Sequence, residues 1–191
     1  CVMSNYFSNK VVAVTGGSEG IGKALVEALL KAGAKVGTCG RHHDKLYKLQ
    51  TDFASFPLHV TVTDVSNEND CRRFIESTIK FFGGIDILIN NAGISMRSEL
   101  KDASVDIIRR VMDINFFGAV YCTRFALNSL MERKGTIVGV VASIKHRGLE
   151  VDAQPALYVS YLQSSTFPIM NFIVKTRTDS SSYIVPVRRT L

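Results

Sequence analysis

The stretch Thr15-Gly16-Gly17-Ser18-Glu19-Gly20-Ile21-Gly22 places its glycines where an anion-binding turn needs them. Glycine allows a sharp turn from strand to helix and a close backbone approach to a phosphate, and the free N–H groups opening the helix then face the anion. The flanks agree with that order. Val11, Val12 and Val14 stand before the turn, and Ile21, Leu25, Ala28, Leu29 and Ala32 recur after it at helical spacing. The chemistry expected of Gly16, Ser18, Gly20, Ile21 and Gly22 is the cradling of a pyrophosphate; the bland alternative is an ordinary tight turn.

The elements that must position this turn alternate along the chain. Strand patterns at Val11 to Thr15, Lys35 to Cys39, Leu58 to Val62, Ile85 to Asn90 and Thr136 to Val141 are separated by helical patterns from Ile21, near Asp44 to Thr51, from about Asn67 to Phe82, and from roughly Ser104 to Glu132. Such alternation predicts a parallel sheet with helices on both faces. Ser66 reads as the cap of the third helix, whose inward face is Cys71, Phe74, Ile75, Thr78, Ile79 and Phe82. With 191 residues, 46% of them hydrophobic, the chain suits one domain. After Gly148, Pro155, Pro168 and Pro186 interrupt short apolar runs, and Ser180-Ser181-Ser182 reads as loop, so residues 149–191 form a divergent tail to a domain over 1–148.

Charge and cysteine usage narrow the function classes. The formal charge of +6 is spread along the chain, and from Leu149 onward four basic residues stand against three acidic ones, so no basic arm marks a nucleic-acid binder. Arg72-Arg73 and Arg109-Arg110 read as solvated helix faces. The four cysteines, Cys1, Cys39, Cys71 and Cys122, lack zinc or redox spacing, which predicts no metal site and reduced thiols in the cytoplasm, with Cys39 and Cys122 as small buried hydrophobes. No apolar run is long enough to span a membrane.

Together with the glycine turn, Asn90-Asn91-Ala92-Gly93 at the end of the fourth strand, Asp64-Val65 after the third, and Asp113-Ile114-Asn115 in the long helix resemble the classical short-chain dehydrogenase/reductase family over roughly Tyr6 to Gly148. The resemblance implies an α/β fold, a Rossmann-like doubly wound parallel sheet in a single domain, here lacking the family's final strands and helices. It implies a nicotinamide dinucleotide at the carboxyl ends of the strands, with Asp64 and Val65 at the adenine and Asn91, Ala92 and Gly93 along the ribose and nicotinamide. Asp64 also reads as a helix or turn cap, and Asn90 as a strand-end hydrogen bonder.

Cofactor choice turns on the end of the second strand, where an acidic residue would accept from a ribose 2′-hydroxyl and repel a 2′-phosphate. Gly40 stands there, and Arg41 follows with a guanidinium suited to bidentate phosphate pairing. Lys45, His42 and His43 add positive charge, whereas Glu19 occupies a spot where many NADP-dependent relatives are basic. The balance predicts NADP rather than NAD; the alternative is that Arg41 is an ordinary loop arginine.

The resemblance further implies general acid-base hydride transfer between the nicotinamide and a small carbonyl or secondary alcohol. Asn115 matches the family's water-holding asparagine and Ser143 its substrate-polarising serine. The expected Tyr-x-x-x-Lys falls near Pro155-Ala156; Tyr158 and Tyr161 are close, but four positions after them stand Leu162 and Ser165. Without a cation beside it a tyrosine stays near a pKa of about 10. Tyr158 is therefore the candidate proton carrier of an NADP-dependent oxidoreductase, and a non-catalytic dinucleotide-binding protein, or an inactive product with a shifted frame after about Ser143, remain alternatives. A methyltransferase would leave Asn90-Asn91-Ala92-Gly93 unexplained. The resemblance also implies homo-oligomers paired through Ser104 to Glu132, leaving Phe116, Phe117 and Phe125 otherwise exposed.

Overall fold

A computed structural model describes residues 6–95, 102–141 and 156–159, all within one compact unit, Cys1–Ser160. Five strands run parallel in the order β3-β2-β1-β4-β5: β1 (Val11–Thr15), β2 (Lys35–Gly40), β3 (Leu58–Val62), β4 (Ile87–Asn90) and β5 (Thr136–Val141). β6 (Ala156–Val159) joins the β5 edge antiparallel, with Tyr158 in register with Gly139. The backbone at Tyr158 is extended.

Helices α1 (Gly20–Lys31), α2 (His43–Asp52), α3 (Glu68–Phe82), α4 (Val105–Met112) and α5 (Gly118–Glu132) connect the strands, with one π-helical turn, Asp113–Phe117, joining α4 to α5. The central strand is buried along its whole length because both faces are covered, as its continuous β-branched character requires. Val12, Val14, Val26, Leu30 and Val36 fill one side, and Phe74, Ile75, Ile85 and Leu88 the other. Cys39, Cys71 and Cys122 are buried free thiols. Burial pushes the Cys39 thiol up to about 12, and the hydrogen bond with Cys71, with burial, pushes Cys122 up as well, so both behave as small hydrophobes.

Local details depart from the sequence reading. The α3 cap is Asn67, whose side chain accepts from Asp70 N; Ser66 instead donates its backbone N–H to Asp64 Oδ1 at 3.0 Å, forming an Asx turn before the helix, and its Oγ to the same oxygen at 2.7 Å. In α1 the buried residues are Gly22, Val26, Leu29 and Leu30, while Ile21 and Ala28 face outward. The rotation follows from Gly22, the residue that lies flush on the first loop. Phe125 is partly covered, with the Arg72 guanidinium 5.0 Å above its ring, whereas Phe116 and Phe117 are exposed.

Candidate functional site

The carboxyl ends of the parallel strands open into one groove of about 730 Å³, within the range of small-molecule sites. Its floor is fixed by a weld between β1 and β4. Thr15 Oγ1 accepts from the backbone N–H of both Asn91 and Ala92, each at 3.0 Å, and Asn91 Nδ2 donates to the carbonyls of Thr15 at 2.9 Å and Gly16 at 3.2 Å. Thr15 was not singled out from the sequence. A threonine closing a buried strand just before a glycine turn was the available signal.

At Gly16 and Gly22 the turn after β1 admits no larger residue. Gly16 has φ 71°, and a β-carbon there would stand 2.9 Å from Ala92 Cα; one at Gly22 would stand 2.1 Å from the Gly16 carbonyl oxygen. The resulting concavity, edged by Ser18, Glu19 and Ile21, is a cradle of backbone at a helix N-terminus. Gly20, with φ 56°, supplies the turn itself.

Beyond the cradle the groove is lined by Arg41 and His42 after β2, by Thr63, Asp64 and Val65 after β3, and by Asn90 to Ser95 after β4. A β-carbon at Gly40 would come within 2.6 Å of Ser18 Oγ, so no acidic side chain fits at the end of β2 unless Ser18 moves. Asp64 both lines the groove and accepts from Ser66 N and Oγ. Partial burial works to raise its carboxyl, but the Ser66 hydrogen bonds and the Arg41 and Arg110 charges hold it below the usual range. Lys45 donates to Glu19 Oε2 across the groove's outer edge, and that hydrogen bond together with the ammonium charge lowers the Glu19 carboxyl.

Asn115 lies in the middle of the π-helical turn. Its Oδ1 accepts from Ile94 N and its Nδ2 donates to Ile94 O, both at 2.8 Å, so the amide clasps the segment after Gly93. The side chain's polar atoms are therefore committed to positioning. A β-carbon at Gly118, where α5 begins, would stand 3.0 Å from Val65 O, so the helix closes on the groove wall here. Asn90 Nδ2 donates to Thr123 Oγ1 at 3.2 Å, but its Oδ1 is buried with no hydrogen-bond partner. Of the remaining candidates, Tyr158 is placed by its backbone opposite Gly139, a lining residue, and Ser143 lies outside the described residues. No cluster suited to a metal ion occurs among the described residues, and no helix among them is long and apolar enough to cross a membrane.

A glycine cradle, an orphaned buried amide oxygen and a groove across the carboxyl ends of a doubly wound sheet define a dinucleotide-binding α/β protein, and the residues present fit a nicotinamide dinucleotide. The chain belongs to the short chain dehydrogenase family, whose model matches residues 10–155. It is 38% identical over 145 residues to an 11-beta-hydroxysteroid dehydrogenase-like protein of Arabidopsis thaliana, covering 72% of this chain and 46% of the relative. It is 37% identical over 147 residues to dehydrogenase/reductase SDR family member 7B of Mus musculus, covering 73% and 45%. Among solved structures, gox2181 superposes with a TM-score of 0.71 at 26% identity, over 81% of this chain and 61% of that one. A short-chain dehydrogenase/reductase of unknown function from Caenorhabditis elegans, solved with cofactor, gives 0.68 at 30% identity, over 77% and 57%. The chain thus spans about half the length of the curated relatives it matches.

Proposed function

We propose that this chain binds NADP in the groove and serves NADP-dependent hydride transfer between the nicotinamide and a small carbonyl or secondary alcohol. The observation that carries the cofactor reading is the end of β2, where Gly40 presents no acidic side chain and Arg41 lines the groove. A 2′-phosphate there meets a guanidinium rather than a carboxylate. The glycine turn, Gly16 to Gly22, takes the pyrophosphate; Asp64 and Val65 take the adenine; Asn91, Ala92 and Gly93 take the ribose and nicotinamide side.

Bound nicotinamide supplies the hydride. Ser143 polarises the substrate oxygen and Tyr158 exchanges its proton, with Asn115 holding the Gly93–Ile94 segment that the nicotinamide side would rest on. Relatives named as dehydrogenases support carbonyl and alcohol chemistry. NADPH fluorescence titration tests the binding: the expected result is saturable binding tighter for NADPH than NADH. Equal affinities would remove the NADP reading, and loss of that preference in Arg41→Met would place it at the guanidinium.

A second reading is a dinucleotide-binding protein without turnover, favoured by Leu162 and Ser165 where a lysine would lie four residues beyond Tyr158 and Tyr161. Binding without NADPH oxidation across a panel of aldehydes and ketones supports it. The apolar side chains exposed along α4, the π-helical turn and α5, including Val105, Phe116, Val120 and Met131, support pairing of two copies through this stretch, which light scattering tests. Buried free thiols support a cytoplasmic setting.

A further inference from the structure

The outer edge of the groove carries a contact that cradle and guanidinium do not explain. Glu19, between the turn and α1, lines the groove and accepts from Lys45, on the first turn of α2. The bond ties the start of α1 to the start of α2, the two helices on either side of β2 in the chain. It places an ammonium within hydrogen-bond reach of a groove-lining oxygen, on the side where Arg41 and His42 also line the wall. The charges of His42 and Arg41 act on the same carboxylate. Lys45 therefore pairs with a carboxylate on the stretch of groove wall that Arg41, His42 and Gly40 also line, and at Gly40 that wall has no side chain of its own.

We infer that Lys45 is a second ligand for the cofactor's 2′-phosphate, held in reserve by Glu19 and handed over when the phosphate arrives. The inference rests on the NADP reading given above. The exchange is between two anions for one ammonium. In the free protein Lys45 pairs with Glu19; in the complex the phosphate, carrying more charge and three acceptor oxygens, competes for the same donors. Both partners are exposed, with side chains 47% and 62% accessible, so the existing pair is weak and its release costs little. Lysine suits the exchange because its flexible stem swings a point charge between partners, whereas Arg41 supplies the fixed, planar contact. Glu19 then works as a brake on phosphate binding, and Lys45 as a specificity-determining residue. NAD, which lacks the phosphate, leaves the ion pair undisturbed.

Removing Lys45 alone does not separate this from simple shielding, since an unpaired Glu19 would itself repel the phosphate. The decisive comparison is Lys45→Met in the Glu19→Gln background, with NADPH and NADH affinities of the full-length variants read by fluorescence titration and fold monitored by circular dichroism. Direct contact predicts that Glu19→Gln tightens NADPH binding severalfold, and that adding Lys45→Met weakens it about tenfold with NADH unchanged, the scale of a hydrogen bond to a charged group. No effect of Lys45→Met in that background overturns the inference, leaving Lys45 as a shield for Glu19. An equal loss for both cofactors also overturns it, since Lys45 would then shape the groove. Arg41→Met reports on the underlying reading: if the NADPH preference is absent in the wild type and unaltered in that variant, the NADP assignment fails on its own. A wild type that binds neither dinucleotide overturns both.

Discussion

At the amino end of the sheet the Asp86 carboxylate, just before β4, accepts from Val11 N at 2.8 Å and faces Arg133 Nη1 at 3.4 Å and Lys10 Nζ at 3.9 Å. At the carboxyl end Asn90, the last residue of that strand, leaves Oδ1 buried with no partner. Arg133 also donates to the Gly83 carbonyl at 2.7 Å, and Ser129 Oγ accepts from Ile85 N at 2.9 Å, so the amino end is closed by partners from α3 and α5. The carboxyl end is built of glycines and open backbone instead. The amino edge spends its polar groups on the fold alone, whereas the carboxyl edge, beside the Thr15–Asn91 weld, leaves Asn90 Oδ1 unpartnered in the groove wall, at the end where such sheets place their sites.

The sharpest way to break that contrast is Gly22→Ala. Its β-carbon meets the Gly16 carbonyl, so the cradle must deform: we expect a destabilisation of about 1–3 kcal/mol from overpacking and loss of detectable NADPH binding. Retained affinity, measured by fluorescence titration, would show that the turn is structural only. Asp86→Ala tests the opposite edge. Removing a nearly buried acceptor of charged and backbone donors is expected to cost about 3 kcal/mol in urea denaturation, yet to leave the NADPH affinity of the folded fraction unchanged. A drop in affinity would mean that the two ends are coupled.

Thr15→Val sharpens the comparison, because the weld it removes belongs to both fold and site. Two partly buried amides lose their acceptor, so about 1–2 kcal/mol of stability and a severalfold loss of affinity should appear together. The smallest effect is expected at the sheet's edge, at His59 on β3. Its ring stacks on Phe81 with centroids 4.8 Å apart, its Nε2 lies 3.1 Å from Ser77 Oγ, and burial lowers its pKa below 6.5. The unfolded chain then binds the proton more readily. The stability contributed by neutral His59 is full above pH 6.5 and is lost as pH falls through the folded value. Denaturation midpoints between pH 7.5 and 5 should show a decline that His59→Gln diminishes, with no change at neutral pH in cofactor affinity.

Which parts were legible in the sequence follows from how local their causes are. The five parallel strands and the helices between them declared themselves through β-branched runs and 3.6-residue periodicity, with boundaries within about two residues. The groove residues were legible where backbone geometry demands a residue type, as at Gly16 and Gly22. The Asn67 cap and the outward turn of Ile21 were not, because adjacent residues compete for such roles and only the packed neighbours decide. The partners of Thr15 and the two-point clasp of Asn115 on Ile94 were also beyond reach, since each joins segments distant in sequence.

The π-helical turn at Asp113–Phe117 carries an implication about how this architecture tolerates change. A π turn accommodates one residue more than the regular helix on either side would, and each residue of an α-helix advances the side-chain direction by about 100°. The aim of Asn115 at Ile94 thus depends on a count of residues as much as on their identities. Deleting a single residue between Asp113 and Phe117 would let the turn relax to regular helix with the side chains of α5 left in phase, and what would be lost is the bulge from which Asn115 reaches Ile94. A change of length, which a substitution scan never samples, is the mutation to which this wall of the groove is most exposed.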